Sequence, residues 1–171
     1  MRFFILTLLS AISLLAGPKD INSFHSSFTQ TIIDEHKKKI VYNGELWASK
    51  PQNALWMYKK PIQKSVYISG SKLTLIEPVI EQATIRTLND EIDFLEIIKK
   101  AKPMNAAHYT ATVNGQTYFI EFSGDTLSSI SYTDGYENKV IIQFLNPDTN
   151  KPIDASRFKP SIPTGFDIIR G

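Results

Sequence analysis

Apolar and polar residues alternate with a period of two along most of this chain. Tyr118, Ile120 and Phe122 fall on one side of an extended run, with Phe119 and Glu121 on the other. Val140, Ile142 and Phe144 repeat the pattern, and Gln143 points the other way. Trp56 and Tyr58 alternate with Leu55 and Met57, so that strand is apolar on both sides. Runs rich in β-branched and aromatic residues cover 45–50, 54–59, 65–68, 72–76, 81–87, 109–113, 116–122, 127–133 and 139–145. Turn markers separate them: Asn43-Gly44, Ser69-Gly70-Ser71, Asn114-Gly115, Ser123-Gly124-Asp125, Asp134-Gly135 and Asn146-Pro147-Asp148. Connections this short favour antiparallel neighbours. A one-sided sheet of so many strands must curl or be covered.

One segment breaks the period. Over 91–101, Phe94, Ile97, Ile98 and Ala101 recur at helical spacing, and Leu95 widens the stripe. Asp90, Glu91 and Asp93 at its start and Lys99, Lys100 and Lys102 at its end suit the helix dipole. A second, shorter helix is expected over 19–28. The pattern therefore predicts a mainly β (α+β) fold, a curved antiparallel sheet with one or two amphipathic helices.

The N-terminus reads differently. Met1-Arg2 carries one positive charge, and 3–16 is apolar apart from Thr7, Ser10 and Ser13. This is too short for a membrane span, which needs about 20 apolar residues. It has the charged start and apolar stretch of a secretory signal. The expectation is a signal peptide over 1–16, a domain over 17–171, and export to the periplasm.

Composition narrows the function. The chain has 171 residues, 42% hydrophobic and 21% charged, which suits one globular domain. Its formal charge is +2, and loss of Arg2 with the signal brings it to about +1. That argues against a nucleic-acid partner, which needs a basic stripe. There is no cysteine, so disulfides, thiolate metal sites and a lipid-anchoring cysteine are excluded. His25, His36 and His108 are not spaced as metal ligands, and neither a phosphate-binding loop nor a nucleophile elbow is present. An enzyme has no residue set to stand on; no cofactor or metal is expected.

Several blocks carry a resemblance. They are Phe24-His25-Ser26-Ser27-Phe28-Thr29-Gln30, Gly44-Glu45-Leu46-Trp47, Lys50-Pro51 with Trp56 and Pro61, Ser69-Gly70, the Pro78 to Thr84 segment, and Phe158-Lys159-Pro160 through Asp167. In order and spacing the chain resembles the periplasmic outer-membrane lipoprotein carrier family, LolA. The resemblance implies an unclosed antiparallel half-barrel with an α-helical lid over its concave hydrophobic face. It implies a monomeric chaperone that carries acylated lipoproteins from the inner-membrane ABC transporter LolCDE to the outer-membrane acceptor LolB. By the same resemblance, Ala54, Trp56, Tyr58, Val66 and Ile68 line the acyl-chain cavity. Ile92, Phe94, Leu95, Ile97 and Ile98 form the lid. The bland alternative is that all ten simply fill a core. Lys50 stands where the family usually has an arginine that latches the lid; lysine offers a point charge in place of a planar fork. A carrier of free phospholipid or glycolipid, or a periplasmic sensor or peptide-binding domain, remains an alternative on the same fold.

Overall fold

The computed structural model describes residues 20–88 and 93–171. The expected signal peptide at 1–16 and the lid residue Ile92 lie outside the described residues. The strands are β1 (Ser23–Ile33), β2 (Lys39–Ser49), β3 (Asn53–Lys60), β4 (Lys64–Ser69), β5 (Lys72–Glu77) and β6 (Gln82–Thr87). The α-helix found among the described residues, α1 (Phe94–Lys99), follows. Then come β7 (Lys102–Pro103), β8 (His108–Val113), β9 (Gln116–Ser123), β10 (Thr126–Thr133), β11 (Lys139–Thr149) and β12 (Asp167–Arg170). All nine expected runs overlap strands.

These strands form one 12-stranded sheet in the order β12-β6-β5-β4-β3-β2-β1-β11-β10-β9-β8-β7. Its pairings are antiparallel except β12 with β6, which is parallel. The two halves meet where β1 pairs β11, and the outermost strands β12 and β7 do not pair with each other, so the sheet is unclosed. Its curvature follows from α1, which touches both β2 and β8. Those strands lie five positions apart, about 24 Å in a flat sheet at ~4.8 Å per strand. A helix only ~10 Å across can reach both only if the sheet wraps around it.

The strand order also explains why both faces are covered. β6 and β7 are consecutive in sequence but lie near opposite ends of the sheet. The connection between them carries α1 on the concave face. After β11, at the centre, the chain returns to the far edge to add β12 beside β6. On that route it passes over the convex face, where Phe158 packs with Trp47 and Leu55. This is why β3 is apolar on both sides: Trp56 and Tyr58 face the main core, and Leu55 and Met57 face the smaller convex cluster.

Three expectations are corrected. The helix expected over 19–28 is strand β1 from Ser23 onward. Phe24, Ser26, Phe28 and Gln30 are buried in alternation, a period-two pattern that overrides the short apolar stripe. Asn43-Gly44 is not a turn but lies within β2. A Cβ on Gly44 would stand 2.2 Å from the Met57 carbonyl oxygen and 2.8 Å from the Phe28 ring, so glycine serves close approach here. Asn146-Pro147-Asp148 lies within β11, opposite a register shift between His25 and Ser27. Asn146 takes a positive φ of 52° there. The buried Ser26 hydroxyl patches the interrupted ladder: it accepts from the Leu145 amide at 3.1 Å and lies 3.0 Å from the Leu145 carbonyl.

The helix is also shorter than the expected 91–101. Asp93 caps it, accepting from the Leu95 amide at 2.9 Å. The Lys100 amide donates to the Glu96 carbonyl at 2.9 Å, and Pro103 already belongs to β7.

Candidate functional site

Alternation puts the even-numbered residues of β1, β2 and β3 on the concave face, with Tyr118, Ile120 and Phe122 of β9 and Ile130 and Tyr132 of β10 opposite them. Phe94 of α1 sits at the centre. Its ring lies 5.1 Å from Phe24, 5.9 Å from Trp56 and 5.8 Å from Phe144, so one side chain touches β1, β3 and β11. Phe94, Leu95, Ile97 and Ile98 are all buried.

Between the helix and the sheet lies an apolar cavity of about 100 Å³. Ala54, Trp56, Ile68, Phe94, Ile97, Tyr118, Ile130, Tyr132 and Ile142 line it. Of the residues named from sequence, Ala54, Trp56, Ile68, Phe94 and Ile97 are brought together on this cavity. Tyr58 and Val66 pack against the same core without lining it, and Leu95 and Ile98 are buried in that core. The wall residues missed are Tyr118, Ile130, Tyr132 and Ile142. Alternation on β9, β10 and β11 marks an apolar face for them. What the sequence lacks is any sign of the β1–β11 pairing that folds this face over the first half.

The helix is attached by apolar contact. Among the described residues, the hydrogen bonds of 93–100 stay within the helix and its caps, as do the ion pairs of Glu96 with Lys99 and Lys100. Among the described residues, the Lys50 ammonium is paired outside α1. It bonds Asp20 Oδ1 at 2.6 Å. That bond, then the Lys50 charge, holds the Asp20 carboxyl below its ordinary value, with Lys99 of α1 adding a smaller contribution.

Phenols stand on and beside the cavity wall. The Tyr118 and Tyr132 rings are 5.2 Å apart, and those of Tyr42 and Tyr58 are 5.7 Å apart. Lys64 stands 4.7 Å from the Tyr58 ring and 5.1 Å from the Tyr42 ring. Burial first, then the nearby phenols of Tyr132 and Tyr42, pushes the Tyr58 hydroxyl well above its ordinary value. Burial likewise raises Tyr118 and Tyr132.

A second hollow, about 240 Å³, opens on the convex face beside Ser23, His25, Trp47, Asp148 and Arg157. His25 stacks on Trp47 at 4.8 Å and 9°, and Arg157 stands 4.6 Å from the same indole. His25 Nε2 is buried 3.8 Å from Glu45 Oε2, beyond hydrogen-bond length. Glu45 is held below its ordinary value mainly by its bond to Lys59. The Ser23 hydroxyl in this hollow donates to the Lys151 carbonyl at 2.6 Å rather than to the imidazole, and among the described residues no group of three His, Asp or Glu side chains is placed to hold a metal.

Comparison with known proteins agrees with this geometry. The family model described as outer membrane lipoprotein carrier protein LolA matches residues 19–161. An outer-membrane lipoprotein carrier protein of Wolinella succinogenes is 36% identical over 159 residues, covering 91% of each chain. One from Campylobacter jejuni is 34% identical, covering 92% of each, and one from Helicobacter pylori is 35% identical over 88% of this chain and 81% of its own. Among solved structures, an uncharacterized conserved protein from Thermus thermophilus shares the fold, with a TM-score of 0.54 at 7% identity, covering 88% of this chain and 91% of that one. With the family model spanning most of its length and relatives above 30% identity covering nine-tenths of it, this chain belongs to the outer-membrane lipoprotein carrier protein (LolA) family.

Proposed function

We propose that this protein is a periplasmic carrier, not an enzyme, which takes up the acyl chains of lipoproteins beneath α1 and releases them to an outer-membrane acceptor. The observation that carries this reading is the helix seated over an apolar cavity by side-chain packing, with no hydrogen bond to the sheet among the described residues.

The magnitudes suit reversible exchange. Burying four large apolar side chains is worth about 1.5–3 kcal/mol each, on the order of 10 kcal/mol in total. An acyl chain gains about 0.8 kcal/mol per buried methylene, again on the order of 10 kcal/mol. A chain that displaces the helix therefore replaces one apolar contact with another of similar size, and neither state becomes a trap. Displacement is needed, because an apolar cavity of about 150 Å³ holds only a benzene-sized guest. At about 100 Å³, the cavity is the closed form.

On this reading Ala54, Trp56, Tyr58, Val66 and Ile68 form the floor and wall. Phe94, Leu95, Ile97 and Ile98, with Ile92, form the lid. Lys50 acts on the lid indirectly, by holding Asp20 near Lys99. The chain is exported, loses 1–16, and works as a monomer over 17–171, receiving cargo from LolCDE and passing it to LolB or an equivalent. Among the described residues, no helix is long and apolar enough to cross a membrane.

The two tryptophans give the test. Trp56 lines the cavity and Trp47 lies on the convex face. A diacylated lipopeptide with brominated acyl chains should quench Trp56 in the Trp47→Phe variant and leave Trp47 unquenched in the Trp56→Phe variant. Equal quenching of both, or of neither, would overturn acyl burial on the concave face. Mass spectrometry of the protein purified from periplasm should find lipoprotein; free phospholipid alone would transfer the reading to a lipid carrier.

A further inference from the structure

The cavity changes character along its length, and the change has a direction. Beneath Phe94 and Ile97 its wall is aliphatic and aromatic. At Tyr118 and Tyr132 it meets an outer cleft of about 390 Å³ that Asp93, Asn114, Gln116 and Asp134 also line. Ile97, Tyr118 and Tyr132 border both spaces. A guest lying along this path has its inner end among hydrocarbon and its outer end among polar groups.

Phenols mark the transition: Tyr118 and Tyr132 border both spaces, with their rings 5.2 Å apart. Tyr58 belongs to β3, Tyr118 to β9 and Tyr132 to β10. β3 and β10 are four positions apart, about 19 Å in a flat sheet. The curl sets Trp56 of β3 and Tyr132 of β10 on one cavity wall, with Tyr58 packed against the same core. The Tyr118 and Tyr132 hydroxyls can each donate one hydrogen bond to a guest. Their raised pKa values keep them protonated, hence able to donate, throughout the physiological range.

We propose that the hydroxyls of Tyr118 and Tyr132 form a head-group subsite, donating hydrogen bonds to the ester carbonyls where the acyl chains join their glycerol. The assignment rests on the acyl-carrier reading above. It adds polar recognition to a cavity otherwise selective only for apolar surface. The carbonyl is the acceptor that fits: it lies at the boundary between chain and head group, and it accepts from both hydroxyls without a donor of its own.

An ester-to-ether comparison tests it. The purified full-length mature protein is titrated with a dipalmitoyl-glyceryl lipopeptide and with its dialkyl ether analogue, which keeps the chains but lacks the carbonyls. The ester should bind about tenfold more tightly, the equivalent of one or two net hydrogen bonds. The double variant Tyr118→Phe/Tyr132→Phe keeps both rings, and its circular dichroism and melting curve check the fold. It should lose the preference for ester over ether. Dipalmitoyl phosphatidylglycerol carries the same carbonyls and should show the same dependence on the two tyrosines. Equal ester and ether affinity in the wild type would overturn the subsite and leave the carrier reading intact. So would an ester preference that survives the double substitution. Failure of the wild type to bind either lipopeptide would remove the carrier reading and the subsite together.

Discussion

The two faces of this sheet are both apolar and both covered, yet the covers are attached by different forces. On the convex face, the chain after β11 is tied down by directional bonds. The Asn150 amide donates to the Ser23 carbonyl at 2.9 Å, and the Ser23 hydroxyl donates to the Lys151 carbonyl at 2.6 Å. The Asn150 side chain accepts from the Asn22 amide at 2.7 Å and donates to the Asp20 carbonyl at 3.1 Å. Arg157 lies over Trp47, Phe158 is buried, and β12 adds to the sheet. On the concave face, α1 offers four buried side chains and, among the described residues, no hydrogen bond to the sheet. Hydrogen bonds are lost when geometry shifts by an ångström or so; apolar contact is non-directional and can be traded for another apolar surface. A carrier needs one face that trades and one that does not.

The sharpest way to break this contrast is to weaken each cover in turn. Phe158→Ala removes the buried anchor of the convex cover and should cost about 3–5 kcal/mol of global stability, read by urea denaturation. Gly44→Ala acts on the sheet beneath both covers. Its Cβ cannot avoid the Met57 carbonyl, so a loss of about 1–3 kcal/mol is expected by the same assay, with tertiary signals altered on both faces. Ile98→Glu buries a carboxylate if the helix is fixed, but escapes if the helix can lift. It should cost only about 1–2 kcal/mol, increase binding of a hydrophobic dye, and impair lipoprotein transfer. A loss as large as that of Phe158→Ala would make the two covers equivalent and end the argument for a lid. Hydrogen exchange in the unmodified protein sharpens the point: α1 amides should open at a lower free energy than those of β1, β2 and β11.

The smallest effect belongs to the convex face alone. The Glu45 carboxyl is held below its ordinary value of 4.5, chiefly by Lys59. Its contribution is therefore present above pH 4.5 and is lost as pH falls through the depressed value. The partner is half exposed, so the loss should stay below about 1 kcal/mol. Lys59→Met should flatten the acid limb of a pH–stability curve without changing acyl-chain binding. Lys50→Leu similarly tests the path through Asp20. Changed release kinetics with unchanged folding are expected, and unchanged kinetics would reduce Lys50 to a surface ion pair.

Alternation along the chain settles which residues of β3, β9 and β11 share a face, because side chains of a strand must point to opposite sides in turn. The stripe at Phe94, Ile97 and Ile98 shows one helix for the same kind of reason, a local period. The first strand escapes such a reading because 19–28 is short and its buried set includes Ser26 and Gln30, polar residues that a period count discards. The glycine at Gly44 and the proline at Pro147 resemble turn residues, since close approach and a bulge use the same residue types as a hairpin.

Sequence by itself determined nine of the twelve strands, their apolar faces and the presence of an amphipathic helix, all consequences of interactions between residues a few positions apart. Tertiary structure decided which strands are neighbours. The pairing of β1 with β11 joins residues about 120 positions apart, and no local pattern encodes it. That pairing curls the sheet, sets Trp56 and Tyr132 on one cavity wall beneath Phe94 and sends the chain across both faces. A cavity is a relation among distant surfaces, so its wall is complete only once those surfaces have met.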